Sequence, residues 1–231
     1  MIALFWDLDG TLLTTARAGV FALEAALKDV RGVELDLQQL VTSGLTDAEV
    51  AAAALEAAGI DADEELVADF LRAYESHLPE CLPRRNGHVM PGVREALDDL
   101  AGRDDVRSFL LTGNTPDGAH AKLAHYNLLG YFADGAFCLG PGARTEIALR
   151  ASALAPDAGE RYVIGDTPQD VVAGKAIDAR TIAVATGSYT AEQLAEHEPW
   201  TVLERIPEPE RFRELIGLVD EPIAYPRAGS T

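Results

Sequence analysis

From Pro91 onward, apolar runs of strand length alternate with amphipathic helical stripes. That rhythm leaves few folds open to the chain. Residues 106–111, 161–164 and 181–185 read as strands, 136–139 as a short strand and 200–203 as an edge strand. Between them lie helical stretches. One is opened by Pro91 with Val93, Leu97 and Leu100 inward, and one runs from Thr115-Pro116 toward Asn127. Others cover 145–154, the segment after Thr167-Pro168, 190–196 and 212–219. Strand–helix alternation implies an α/β fold, a Rossmann-like parallel sheet with helices on both faces. In such sheets ligands bind beyond the carboxyl ends of the strands. Three predicted strand ends carry polar groups there: Asp7 with Asp9, Thr112, and Asp166.

The first of these is the most pointed. The apolar run 2–6 predicts a buried strand, and it delivers Asp7 and Asp9 into a Gly-Thr turn at Gly10 and Thr11. On a strand, residues two apart share a face. Two neighbouring carboxylates repel each other and raise one pKa unless a cation intervenes. The pair therefore suits a magnesium site with a nucleophile and a proton donor. The plainer reading is an Asp-Gly turn with solvated acids.

After Leu13 the periodicity becomes helical. Val20, Leu23, Leu27 and Val30 form one face of a helix ending near Gly32, and Thr46-Asp47-Ala48-Glu49 is a capping-box signature for a helix stopping at Gly59. Val67, Phe70, Leu71, Tyr74 and Leu78 form a further stripe closed by Pro79. No strand is evident from about residue 16 to 83, so this block is expected to be a helical insert of roughly four helices. The core is then 1–15 with 84–220, the insert 16–83, and 221–231 a flexible Pro-, Gly- and Ser-bearing tail.

Composition narrows the function. With 231 residues, 48% of them hydrophobic, the chain can build one large or two small domains with a real core. A net charge of −19 argues against nucleic acid as a partner. The acids are scattered rather than blocked, which reads as a solvated surface. Lys28, Lys122 and Lys175 are the only lysines, so arginine supplies the other 16 of the 19 basic residues. Cys81 and Cys138 lack zinc-ligand spacing and read as free thiols. No stretch approaches the ~20 apolar residues of a membrane span. Met1 leads straight into the first strand with no charged leader, so a cytoplasmic protein without a secretory signal is expected. Walker, dinucleotide and nucleophile-elbow patterns are missing.

Taken together, LFWDLDGTLL at 4–13, FLLTGNT at 109–115 and YVIGDTPQD at 162–170 resemble the haloacid dehalogenase superfamily, phosphatase branch, and most of all its phosphoglycolate-phosphatase-like members. The resemblance covers nearly the whole chain, and it makes the helical insert a small all-helical cap domain over the site. It implies that Asp7 is the nucleophile that takes the phosphoryl group and that Asp9 protonates the leaving alkoxide and then activates water. It implies magnesium held by Asp7, Asp166 and the Asp9 carbonyl. Asp170, in the first turn of the helix after Thr167, is either an outer-shell partner of the metal or a cap for free N–H groups. Thr112 is expected to bond a phosphoryl oxygen beside the backbone of Gly113 or Asn114.

The family pattern also asks for a basic residue upstream of the last motif, usually lysine, and here the chain departs from it. Lys122 lies too close to the second motif, and Lys175 lies after the last one. Arg144 stands near the expected interval and is the proposed replacement, able to grip phosphate through two bonds. In the insert, Arg17 and the stretch Thr42-Ser43-Gly44-Leu45-Thr46-Asp47 are candidates for substrate contact, with Gly44 letting the backbone approach a ligand, although Thr46 also caps a helix and Arg17 reads equally as solvated.

The expected function is a magnesium-dependent phosphatase of a small phosphorylated metabolite, such as phosphoglycolate or a sugar phosphate, in a monomer or homodimer. Neither membrane nor nucleic acid is expected as a partner. The competing readings are a phosphomutase on the same scaffold and a non-catalytic phosphometabolite-binding protein. A dehalogenase is disfavoured because it has no evident use for Asp9.

Overall fold

Alternate residues of the first strand face opposite ways, and the architecture is organised around that alternation. The computed structural model describes residues 1–218. In chain order the elements are β1 (Ile2–Trp6), β2 (Leu13–Thr14), α1 (Ala18–Arg31), α2 (Asp47–Ala57), α3 (Glu64–Cys81), β3 (His88–Val89), α4 (Val93–Leu100) and β4 (Val106–Leu111). They continue with α5 (Pro116–His125), β5 (Gly135–Ala136), α6 (Arg144–Ala153), β6 (Glu160–Gly165), α7 (Pro168–Ala176), β7 (Arg180–Val184), α8 (Ala191–Ala195), β8 (Thr201–Leu203) and α9 (Pro209–Leu215). Ala3 and Phe5 of β1 enter one apolar cluster, and Leu4 and Trp6 the other. The first cluster takes in Ile147 and Ala148 of α6 and Ala173 of α7. The second takes in Val93 and Leu97 of α4, Leu123 of α5 and Phe212 of α9. Helices therefore cover both faces.

The six strands of the main sheet lie in the order β5-β4-β1-β6-β7-β8, and every pairing is parallel. β1 is central between β4 and β6, so it is buried on both faces and reads as a continuous apolar run. Parallel order brings the carboxyl ends of β1, β4, β6 and β7 to one edge.

The insert between β2 and β3 is helical, as its periodicity predicts. It holds three α-helices rather than four, followed by a single 3-10 turn at Leu82–Arg84. Its own apolar contacts include Leu23, Leu27, Leu55, Phe70 and Leu78. The stripe of α3 does not stop at Pro79 but runs to Cys81. A proline in the last turn removes one backbone bond, and the burial of Leu78, Cys81 and Leu82 outweighs it. β2 and β3 pair antiparallel, Leu13 with Val89 and Thr14 with His88, where the chain leaves and re-enters the sheet domain. Strands of two residues carry no readable period. β5 covers 135–136 instead of 136–139, and α9 begins at Pro209 instead of residue 212. The expected tail, 221–231, lies outside the described residues.

Candidate active site

Asp7 leaves the end of β1 with its N–H bonded to the Ile164 carbonyl at 2.9 Å, which fixes it beside the end of β6. The chain then turns sharply, with Gly10 at φ 88° and its N–H bonded to the Leu13 carbonyl at 2.8 Å. Asp7, Asp9, Thr112 and Asp166 line one cavity of about 380 Å³. Gly113, Asn114, Lys122 and Arg144 share its wall on the sheet side, and Arg17, Gly44, Leu45, Asp47 and Tyr74 on the insert side. The three strand ends singled out in the sequence thus meet in one place.

The acids are crowded. Asp7, Asp166 and Asp170 each present an oxygen within 4.8 Å of the others, and all three are buried. Arg144, the first residue of α6, reaches in with Nη2 and donates to Oδ1 of Asp7 and to Oδ1 of Asp170, both at 2.6 Å. Its Nε is buried without a partner among the described residues. The other oxygen of Asp170 accepts from the Thr167 N–H at 3.0 Å and the Thr167 hydroxyl at 2.8 Å, closing the capping box that starts α7. Both Asp170 oxygens are therefore already bonded. Asp166 accepts from the Thr11 hydroxyl at 3.0 Å. Burial pushes the Asp7 carboxyl up to about 7, against the pull of Arg144 and with help from the Asp170 charge. Burial also holds Asp166 well above the usual carboxylate range, with Asp7 and then Asp170 adding to it. One guanidinium does not balance this group.

Two glycines make room for Asp166. A Cβ at Gly187 would lie 1.7 Å from its Oδ2, and one at Gly10 would lie 2.3 Å away. Gly187 follows β7, and the neighbouring Thr186 hydroxyl donates to the Gly10 carbonyl at 2.6 Å, tying that loop to the first motif.

Asp9 has a separate cation. Lys122 Nζ lies 2.5 Å from Asp9 Oδ2 and 2.9 Å from Asn114 Oδ1, and Asn114 Nδ2 donates to the same Asp9 oxygen at 3.0 Å. Lys122 is buried, and its pKa is raised: burial opposes the charge, but Asp9, Tyr74 and Asp47 outweigh it. Thr112 is buried and lines the cavity, with its Oγ1 accepting from the Asn114 N–H at 3.3 Å.

The insert meets the sheet domain through the segment before α2. The Asp47 N–H donates to the Gly113 carbonyl at 2.7 Å, and its carboxylate accepts from the Thr115 N–H at 2.7 Å. Burial pushes the Asp47 carboxyl up to about 6, with Lys122 opposing. Gly44, at φ 76°, faces Gln169, whose Oε1 would lie 2.6 Å from a Cβ there. Thr46 is occupied elsewhere: its Oγ1 accepts from the Glu49 N–H at 3.3 Å in a full capping box, and it does not line the cavity. Arg17 does line it, with Nη2 donating to the carbonyls of Gln38 and Leu40 at 2.8 and 3.0 Å.

The two lysines set aside in the sequence separate here. Lys175 bonds the His197 carbonyl at 2.9 Å on the exposed side of α7, away from the cavity. Lys122 is in the cavity, where sequence spacing did not put it. A signal was available: Ala119, Lys122 and Leu123 of α5 share one buried stripe with Tyr126 just past its end, and a lysine in an inward stripe needs a buried partner. Asp47 belongs to the stretch 42–47 marked for substrate contact and does line the cavity, Thr11 lies in the turn after Asp9, and Gly187 carried no signal.

Comparison with known proteins bears on this arrangement. A family model described as haloacid dehalogenase-like hydrolase matches residues 4–175, and a second, HAD-hydrolase-like, matches 143–209. The probable phosphatase IndB of Dickeya dadantii (strain 3937) is 30% identical over 235 residues, spanning 95% of this chain and 97% of that one. A hydrolase from Pseudomonas syringae superposes with a TM-score of 0.70 at 18% identity, covering 94% of this chain and 99% of that one. A predicted phosphoglycolate phosphatase from Haemophilus somnus 129PT gives 0.69 at 16% identity, covering 93% and 96%.

Proposed function

Since the chain belongs to the haloacid dehalogenase-like hydrolase family, we propose that it is a magnesium-dependent phosphatase that hydrolyses a small phosphomonoester through an aspartyl phosphate on Asp7. The observation that carries this reading is the cavity in which Asp7, Asp9, Thr112, Arg144 and Asp166 converge from separate stretches of chain. The insert 16–83 acts as the cap domain, and the small cavity suits a metabolite rather than a macromolecule.

The donor set fits magnesium. Asp7 and Asp166 offer hard oxygens a few ångströms apart, and both carboxyls are held high by burial with too little positive charge nearby. These two acids and the Asp9 carbonyl would hold the ion. Asp170, with both oxygens engaged, steadies Arg144 from outside. When bound, the ion supplies the positive charge that lets a phosphate approach a carboxylate.

The chain's own residues then divide the work. An Asp7 oxygen forms the bond to phosphorus as the phosphorus–ester oxygen bond breaks, and Asp9 gives its proton to the departing oxygen. In the second step Asp9 takes a proton from water, whose oxygen attacks phosphorus and frees Asp7. Thr112 donates to a phosphoryl oxygen, and Arg144 holds the Asp7 carboxylate against rotation. Gly113 and Asn114 border the phosphate, and Arg17 and Gly44 border the remainder of the substrate.

The test is phosphate release from p-nitrophenyl phosphate and from a panel of phosphorylated metabolites, after chelation and after adding magnesium. Release that requires magnesium, needs no bisphosphate activator and is abolished in Asp7→Asn is the expected result. Undiminished release by Asp7→Asn overturns the reading, and release that depends on a bisphosphate points instead to a phosphomutase.

A further inference from the structure

Arg144 accounts for the charge beside Asp7, which leaves the buried Lys122 without a role in the reaction as derived so far. Its side chain is 6% exposed, whereas that of Asp9 is 40% exposed. A lysine buried this deeply on an apolar stripe is costly unless it is paired, and packing alone would favour an aliphatic residue there. The pairing is specific. Lys122 and Asn114 both contact Oδ2 of Asp9, and they bond each other at 2.9 Å, so three side chains close a ring. With Oδ2 fixed on both sides, the Asp9 carboxyl has one orientation, and Oδ1 is left for the substrate.

We propose that Lys122 is a positioning residue for the reaction: with Asn114 it locks Asp9 in the orientation from which the proton passes to the leaving oxygen. The proposal rests on the phosphatase reading above. As the phosphorus–ester oxygen bond breaks, the proton on Asp9 moves to that oxygen and Asp9 is left a carboxylate. The Lys122 ammonium already sits against it, so the charge that appears is met without rearrangement. The two buried cations of the cavity therefore serve different acids, Arg144 the nucleophile and Lys122 the proton donor.

An alkyl phosphate needs its leaving oxygen protonated; p-nitrophenyl phosphate scarcely does. Lys122→Met is therefore expected to lower kcat/KM about 10²-fold on an alkyl phosphate and less than about tenfold on p-nitrophenyl phosphate. KM should move little, and Lys122→Arg should restore part of the loss. In an Asp9→Asn background, Lys122→Met should cost nothing further on either ester. Equal losses on the two esters, or a further loss in the Asp9→Asn background, overturn the proposal while leaving the phosphatase reading intact. A parent enzyme that releases no phosphate from either ester overturns both. Circular dichroism and thermal melting check each variant. If Lys122→Met does not fold, Lys122→Gln, which keeps the site polar but loses the charge and the reach to Asp9, carries the same comparison.

Discussion

At the scale of single residues, the site is a set of buried acids held together by too few cations, and each substitution acts through that imbalance. Arg144 bridges Asp7 and Asp170 through one nitrogen. Arg144→Met should cost at least about 10² in kcat/KM and, at pH 8, about 3 kcal/mol of stability, because breaking a buried ion pair leaves a charge unpaired. The stability loss should shrink at pH 5, where a proton can replace the guanidinium; urea titrations at the two pH values measure it. The same imbalance sets the pH profile of the metal-free protein. Asp7, Asp166 and Asp47 all have folded-state pKa values raised by burial, to about 7 for Asp7 and about 6 for Asp47. At these three groups the folded chain holds more protons between pH 4 and 7 than the unfolded one, and their contribution to stability falls as pH rises. Thermal melts in EDTA should show Tm dropping from pH 5 to pH 7.5, and magnesium should restore more of it at pH 7.5 than at pH 5. Of the residues involved, Asp7, Asp9 and Asp166 stood out at predicted strand ends, whereas Arg144 was singled out only through the interval that the family resemblance implies. Gly187 was not, because its need to be glycine comes from an Asp166 oxygen 1.7 Å from where a Cβ would be, across more than twenty residues of chain.

At the scale of elements, the insert is fastened to the sheet domain by the start of α2. The first residue of that helix uses both its backbone and its side chain on the loop after β4, through Gly113 and Thr115. Asp47→Ala leaves the Thr115 N–H without this acceptor in a buried setting and should cost about 1–3 kcal/mol. It should also raise KM several-fold, since the cavity wall formed by Leu45 and Asp47 loses its anchor. Asp47→Asn keeps an acceptor and should recover most of both; steady-state kinetics and chemical denaturation of the two variants decide it. The capping box that starts α2 could be read from Thr46 and Glu49, since both halves are local. The docking of Asp47 could not, because it depends on a partner sixty-eight residues away. The same distinction explains the other differences. The long periodic segments α1, α3 and β4 followed from their patterns, whereas the two-residue pair β2 and β3 exists only because the chain must leave and rejoin the sheet there. The extension of α3 past Pro79 likewise follows from tertiary burial of Cys81 and Leu82.

For the whole molecule, strand–helix alternation implies parallel crossovers, which is why the fold class, though not the strand order, could be read before any coordinate. The net charge of −19 is a property of the same scale, and it opposes the proposed substrate. A phosphate dianion approaching such a surface is repelled at long range, and within the cavity the cationic side chains among the described residues are Arg17, Lys122 and Arg144, acting beside the proposed magnesium. Lys122 and Arg144 are already paired with acids, so little of their field reaches outward. Added salt shortens the screening length from about 30 Å at 0.01 M to about 10 Å at 0.1 M, which removes the distant repulsion while leaving contacts inside the cavity almost untouched. kcat/KM for a dianionic ester should therefore rise between 10 and 200 mM sodium chloride at fixed saturating magnesium, by roughly two- to tenfold. The gain should appear in KM rather than kcat, because chemistry follows capture. A phosphoramidate or other ester of lower negative charge should show a smaller slope. If kcat/KM falls with salt instead, the cations at the cavity mouth govern capture, and Arg17→Gln should then flatten the dependence.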